Sequence, residues 1–159
     1  MHKIIDNLLA EEQFTHLQNN MLGSSFPWFF SGSVADEEEN DYGYFVHEFY
    51  DGCFAKSHHI ELILPLLEQL DLKALIRCKA NAFLKTEQLI QHPMHVDLPY
   101  EHKGAIFYLN TCDGKTVLEN SEVIDSVANR LLLFDSSKPH ASTTTTDAQR
   151  RVNININFM

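Results

Sequence analysis

His95-Val96-Asp97 sets an imidazole and a carboxylate two residues apart, at the end of a segment, QLIQHPMHVD, that reads as a strand. In a strand that spacing puts both side chains on one face, so both can reach a single metal ion. A third ligand has to arrive from elsewhere in the fold. His140 is the best candidate, because it follows the apolar run NRLLLFDSSKP and Pro139 stiffens its approach. His58, His59, His92 and His102 also lie near loops and compete for the role. With nine His and 22 acids in the chain, an HxD triplet also arises by accident. Its weight comes from order: a strand-borne HxD, a later Pro-His after an apolar strand, then Arg on a final strand. Two imidazoles and one carboxylate leave three positions of a metal open, which suits an iron(II) enzyme binding both substrate and oxygen. Zinc prefers a closed tetrahedron or one open position, and calcium or magnesium wants mostly oxygen ligands.

The last strand, RVNININF, is the most regular segment in the chain. Arg151, Asn153, Asn155 and Asn157 fall on one face; Val152, Ile154, Ile156 and Phe158 fall on the other. The apolar face calls for a packing partner, which the helices can supply. The polar face is costly in a dry interior and needs water, a ligand or its own members as partners. A solvent-facing sheet surface is the competing explanation.

The remaining elements follow from pattern. Residues 6–21 place apolar side chains at 8, 9, 14, 17 and 21, the period of an amphipathic helix with Asp6 or Asn7 as cap. A second helix is expected over 57–70, kinked or broken at Pro65. YGYFVHEFY reads as a strand. From residue 72 onward come short strands at 74–83, 88–97, 104–110, 115–119, 129–135 and 150–158, separated by turn residues. Closely spaced strands without intervening helices predict an antiparallel sandwich or barrel. The expectation is one α+β, mainly β domain over 1–159, with helical support to about 70 and a β core from about 72.

Composition bounds the function. One domain of 159 residues, 44% apolar, can bury a sizeable core, and no apolar run is long enough to span a membrane. The N-terminus, MHKIIDNLLAEEQF, carries acids inside its apolar stretch, unlike a secretory signal. Cys53, Cys78 and Cys112 form no CxxC and leave one unpaired, which fits reduced thiols in a cytoplasmic protein. The net charge of −10 is concentrated early: residues 1–55 hold ten acids against one base. Such a field repels phosphate backbones, so nucleic acid is not expected as a partner.

From about residue 76 to 158 the chain resembles the catalytic core of the iron(II)/2-oxoglutarate-dependent dioxygenases, in their prolyl-hydroxylase-like branch. HVDLPYEHKGAIFYLN is similar to that branch's HxD segment and the strand after it. NRLLLFDSSKPHASTTTTDAQRRVNININF is similar to its later His and Arg segment. The resemblance implies a double-stranded β-helix, a jelly-roll, cupin-like barrel with the metal inside its mouth. It implies iron(II) on His95, Asp97 and His140, with no catalytic residue beyond these ligands. It implies 2-oxoglutarate paired with Arg151 rather than the adjacent Arg150, and with the Tyr108 hydroxyl. Asn153, two after the arginine, is also placed at the cosubstrate, although Asn departs from the small polar residue usual there. The reaction implied uses O2 and hydroxylates a C–H bond, releasing succinate and CO2. The substrate would be a prolyl residue in a peptide or protein, or a small amino-acid-like molecule.

Two rival readings remain at the level of sequence. One is a non-catalytic, cupin-like module whose Asn-rich face binds a small polar ligand. The other keeps the metal as zinc in a hydrolytic or isomerising site. A further expectation concerns residues 31–52. SGSVADEEEND has too little apolar content to be held by burial, yet aromatic residues flank it on both sides. It reads either as a lid over the substrate, whose acids would favour a positively charged substrate, or as a solvated acidic loop.

Overall fold

Strand β1 (Lys3–Ile5) and helix α1 (Glu11–Leu22) open the chain, followed by β2 (Phe29–Ser31), β3 (Tyr44–Asp51) and β4 (Phe54–Ala55). A 3-10 helix (His58–Ile63) and one α-turn, α2 (Leu64–Leu67), lead into β5 (Leu75–Leu84), β6 (Lys103–Tyr108) and β7 (Cys112–Leu118). Then come β8 (Val123–Ser126), β9 (Arg130–Asp135), β10 (His140–Ser142) and β11 (Arg150–Phe158). These bounds are those of a computed structural model, which describes residues 2–32 and 43–159. A large antiparallel sheet runs β1-β9-β6-β11-β5-β3-β2, with β4 added to β3, and a small sheet runs β10-β7-β8. The architecture is mainly β with the helices outside the strands, as a jelly-roll barrel requires.

Strand β11 sits in the middle of the large sheet, between β5 and β6, and the alternation in its sequence decides what each face meets. Val152, Ile154, Ile156 and Phe158 join the main core with Leu17 and Met21 of α1, Ile63 of the 3-10 helix and Leu66 of α2. Full burial of each such side chain contributes about 1.5–3 kcal/mol. A second, smaller core joins the two sheets through Ile106, Tyr108, Leu132 and Phe134 on one side and Leu118 and Ile124 on the other. The polar face of β11 is also inside: Arg151 is 0% exposed, Asn153 3%, Asn155 7% and Asn157 0%. A solvent-facing sheet surface is therefore excluded.

Several elements differ from the sequence expectation. Helix α1 starts at Glu11 with Ala10 before it and no side-chain cap; Glu11 and Glu12 face its positive end instead. Asp6 is engaged elsewhere, bonding Arg130 at 2.6 and 3.0 Å. The segment 57–70 is a 3-10 helix followed by a single α-turn with Pro65 in that turn's opening, not one helix. The segment 88–97 is no continuous strand: it touches the small sheet only at Gln91↔Thr143 and His95↔His140. Pro93 lies between these rungs and has no N–H to donate to a ladder. Of the expected lid, Tyr44–Asp51 is β3, hydrogen-bonded between β2 and β5 and so part of the wall. Its acidic run, residues 36–41, lies outside the described residues. All three cysteines are free, and among the described residues no helix is long and apolar enough to cross a membrane.

Candidate active site

Two backbone hydrogen bonds, each 2.9 Å, join His95 and His140 in both directions. They bind the irregular segment carrying HxD to the first residue of β10. Asp97 N donates to Ser136 O at 3.2 Å, fixing the other end of the triplet. Side chains from two distant parts of the sequence thus converge, and the ligand atoms of His95, Asp97 and His140 all lie within 4.8 Å of one another. Each imidazole places Nδ1 against a backbone carbonyl, His95 on Pro93 at 3.2 Å and His140 on Lys138 at 3.0 Å. A carbonyl only accepts, so Nδ1 carries the proton in both rings and Nε2 keeps its lone pair. Those Nε2 atoms face the Asp97 carboxylate at 4.0 and 3.6 Å. Two lone pairs confronting an anion repel one another, and a cation placed among them removes the repulsion. The donor set fits a metal ion.

Asp97 is held from behind by a ring of donors. Arg77 Nη2 binds its Oδ1 at 2.8 Å, and Asn157 Nδ2, Ser136 Oγ and Asn155 Nδ2 approach Oδ2 at 2.9, 3.1 and 3.4 Å. Ser136 Oγ is itself 2.7 Å from His102 Nε2, and Arg77 Nε donates to Asn157 Oδ1 at 3.1 Å. Burial would raise the Asp97 carboxyl, but the facing His140 imidazole, the Arg77 guanidinium and the Asn157 bond outweigh it and hold it down at about 2. Such outer partners fix the orientation of a metal ligand. His95 moves the other way: burial first, then the neighbouring His140 ring, pulls its pKa below the ordinary value. Both shifts favour the deprotonated forms that bind metal.

From this group a pocket runs between the sheets past Phe83, Ile106, Thr116 and Asn153. Behind the Thr116 wall of the pocket lies Arg151, fully buried, with Nε on Ser126 Oγ at 2.7 Å, Nη2 on Thr116 Oγ1 at 2.9 Å and Nη1 on Thr143 O at 3.2 Å. The guanidinium lies over the rings of Phe83 and Tyr108 at 5.5 and 5.7 Å. Tyr108 OH is 2.8 Å from Thr116 Oγ1. Three of the five N–H groups are used, all on neutral oxygens, and no carboxylate pairs with Arg151 among the described residues. A buried guanidinium without a counter-charge is expensive, and burial accordingly pulls its pKa down. A dicarboxylate reaching from the metal to Arg151 would compensate that charge. Gly114 makes room: a Cβ there would collide with Arg151 Cδ and lie 2.6 Å from Thr144 O.

Of the residues singled out from sequence, His95, Asp97, His140 and Asn153 line one pocket, and Arg151 and Tyr108 lie buried behind it, both bonded to its lining residue Thr116. Asn153 accepts from Asn81 Nδ2 at 3.0 Å. Arg150 points the opposite way and donates through Nη2 to Leu22 O at the end of α1. The competing histidines stay out of the ligand group. His92 bonds Ser142 at 3.0 Å, and His58 and His59 belong to the 3-10 helix. His102 stands one step behind Asp97. Sequence reasoning missed Arg77, Lys79, Asn81 and Phe83, all on the inward face of β5. A signal was present: in LIRCKANAFL polar residues alternate with Cys78, Ala80 and Ala82, the same period of two that marks β11. Gly114, Thr116 and Ser136 had no comparable signal.

Solved structures show where this fold recurs. A prolyl hydroxylase from Trichoplax adhaerens, in complex with a hypoxia inducible factor oxygen degradation domain peptide fragment, superposes with TM-score 0.72. It covers 99% of this chain and 83% of its own, at 20% identity. The fold is that of the iron(II)/2-oxoglutarate oxygenases. A Pseudomonas putida prolyl-4-hydroxylase gives TM-score 0.68 at 13% identity over 99% and 91% of the two chains. The non-heme alpha ketoglutarate dependent epimerase SnoN from nogalamycin biosynthesis gives 0.67 at 12% over 99% and 77%. No family model and no curated protein matches the chain.

Proposed function

We propose that this protein is a non-haem iron(II)- and 2-oxoglutarate-dependent dioxygenase that hydroxylates a C–H bond and releases succinate and CO2. The proposal is carried by two proton-free Nε2 atoms that face Asp97 across a pocket, together with a buried Arg151 that is bonded to the lining residue Thr116 and meets no carboxylate among the described residues. His95 Nε2, the Asp97 carboxylate and His140 Nε2 would hold the iron, and Arg151, backed by Thr116 and Tyr108, would hold the distal carboxylate of 2-oxoglutarate. When bound, iron and 2-oxoglutarate supply the oxidising chemistry with O2. The chain's own residues do the rest. The carbonyls of Pro93 and Lys138 keep the two imidazoles in the tautomer that points a lone pair inward. Arg77, Ser136 and Asn157 keep the carboxylate ionised and stop it turning. Phe83 and Ile106 give the pocket apolar walls. The substrate is a small amino-acid-like molecule or a prolyl residue of a peptide. Succinate formation from 2-oxoglutarate under air is the test: it should require iron(II) and disappear in Asp97→Ala and in Arg151→Met. Turnover that persists without iron, or in both variants, would sink the proposal.

A further inference from the structure

The pocket has a further polar region on its β5–β11 wall, between the rungs that carry Arg151 and Asn157. Lys79, on the inward face of β5, lines it together with Tyr44, Asn81 and Asn155. The ammonium lies 3.5 Å from Tyr44 OH and 5.9 Å above the Tyr44 ring, and no carboxylate lies within 4.0 Å of it among the described residues. Asp97 is taken by Arg77. Glu48 stands opposite Lys79 across β3 but is exposed and makes no ion pair with it. A half-buried cation in this setting calls for an anion from outside the described chain.

Beside it stand two buried acceptors that meet no donor among the described residues. Asn81, 6% exposed, gives its Nδ2 to Asn153 and leaves Oδ1 without a partner. Asn155, 7% exposed, turns Nδ2 to the Asp97 carboxylate, which fixes the amide and leaves its Oδ1 equally bare. Asn155 is directly opposite Lys79 on β11, and Asn81 is two residues further along β5. Buried carbonyls without donors are rare, and two on one pocket wall await a ligand that donates. One cation flanked by two acceptors matches a molecule carrying a carboxylate and an N–H group one carbon apart. A prolyl residue inside a peptide has neither.

Resting on the oxygenase function above, we propose that the substrate is a free amino acid, its carboxylate held by Lys79 and the Tyr44 hydroxyl and its amino nitrogen donating to Asn81 and Asn155. 2-Oxoglutarate would pair with Arg151, two rungs away along β11, so the two ligands do not share a cation.

The test uses the whole chain loaded with manganese(II) and 2-oxoglutarate, titrated calorimetrically with free amino acids, each beside its carboxamide and its N-acetyl derivative. At least one amino acid should bind at least tenfold more tightly than both of its derivatives. Lys79→Met should remove the preference over the amide, and Asn81→Ala the preference over the N-acetyl form. 2-Oxoglutarate affinity should stay within about twofold of wild type in both variants, which also shows that the pocket is folded. A panel in which no free amino acid exceeds its derivatives overturns the proposal. So does a Lys79→Met variant that loses 2-oxoglutarate, because Lys79 then serves the cosubstrate. Wild-type protein that fails to bind 2-oxoglutarate with manganese refutes the oxygenase function itself, a different result.

Discussion

Replacing Arg151 with Met should separate what the guanidinium does for the fold from what it does for the ligand. In the free protein Arg151 is wholly buried, bonded to Ser126, Thr143 and Thr116, and faces no carboxylate among the described residues. Met is unbranched and fills similar space without a charge. A buried charge replaced by an apolar side chain of similar volume is often neutral or stabilising. Three polar atoms lose a donor, at a net of about 1 kcal/mol each, and relief of the desolvated charge offsets much of this. The unliganded variant should therefore melt within a few degrees of wild type. Binding of 2-oxoglutarate should suffer far more, because removing one partner of a buried charge pair costs about 2–5 kcal/mol. At about 1.4 kcal/mol per decade this is roughly 30-fold to a few thousand-fold in Kd. Calorimetric titration with manganese(II) in place of iron reads the affinity, and melting with and without 2-oxoglutarate reads the linkage: the ligand-induced rise should vanish. Arg150→Ala, on the other face, should bind 2-oxoglutarate almost normally and lose a little stability at the end of α1. An Arg151→Met variant that binds within about threefold of wild type, or equal losses for both arginines, would refute the assignment.

Asp97→Ala and His140→Ala should each abolish turnover and manganese binding while keeping the wild-type circular dichroism spectrum, whereas His92→Ala should retain most activity. His102→Ala should fall between them, because His102 holds Ser136, which in turn bonds Asp97 at 3.1 Å; metal titration of all four variants gives the ranking. Gly114→Ala should weaken 2-oxoglutarate at least tenfold with little change in metal affinity, since the new methyl meets Arg151 Cδ; equal 2-oxoglutarate affinity would contradict the close approach. His92, held neutral, has its pKa pulled to about 4 by burial. A folded-state value below the unfolded one of about 6.5 means the unfolded chain binds the proton first, so stability present above pH 6.5 falls between about 6.5 and 4. The loss should approach about 3 kcal/mol in urea melts, and His92→Phe should flatten it.

Much of this site was legible because period-two patterns survive folding. RVNININF alternates without a break, and β11 occupies those residues with one face in the core and the other on the pocket. His95, Asp97 and His140 were legible as residue types in order, although the strand expected to carry the first two does not form. Their convergence depends on two backbone bonds between His95 and His140, which no local pattern encodes. β10, three residues long, and β1, paired only with β9, are set by tertiary partners rather than by propensity. The inward face of β5 was readable by the rule applied to β11, but Arg77, Lys79 and Asn81 stand among small residues that blur the alternation. Ser136 and Gly114 were beyond reach, since their roles rest on proximity to Asp97 and Arg151 across the barrel.

On the proposed function, iron is held through His95, Asp97 and His140 and 2-oxoglutarate through Arg151. Anaerobic addition of iron(II) and 2-oxoglutarate tests it without knowledge of the substrate, because chelation of the metal by the 2-oxo acid produces a visible charge-transfer absorption. The band should appear only with both components, saturate at one equivalent of iron, vanish in His140→Ala and require far more 2-oxoglutarate in Arg151→Met. No band at saturating iron and 2-oxoglutarate, or a band unchanged in His140→Ala, would contradict it.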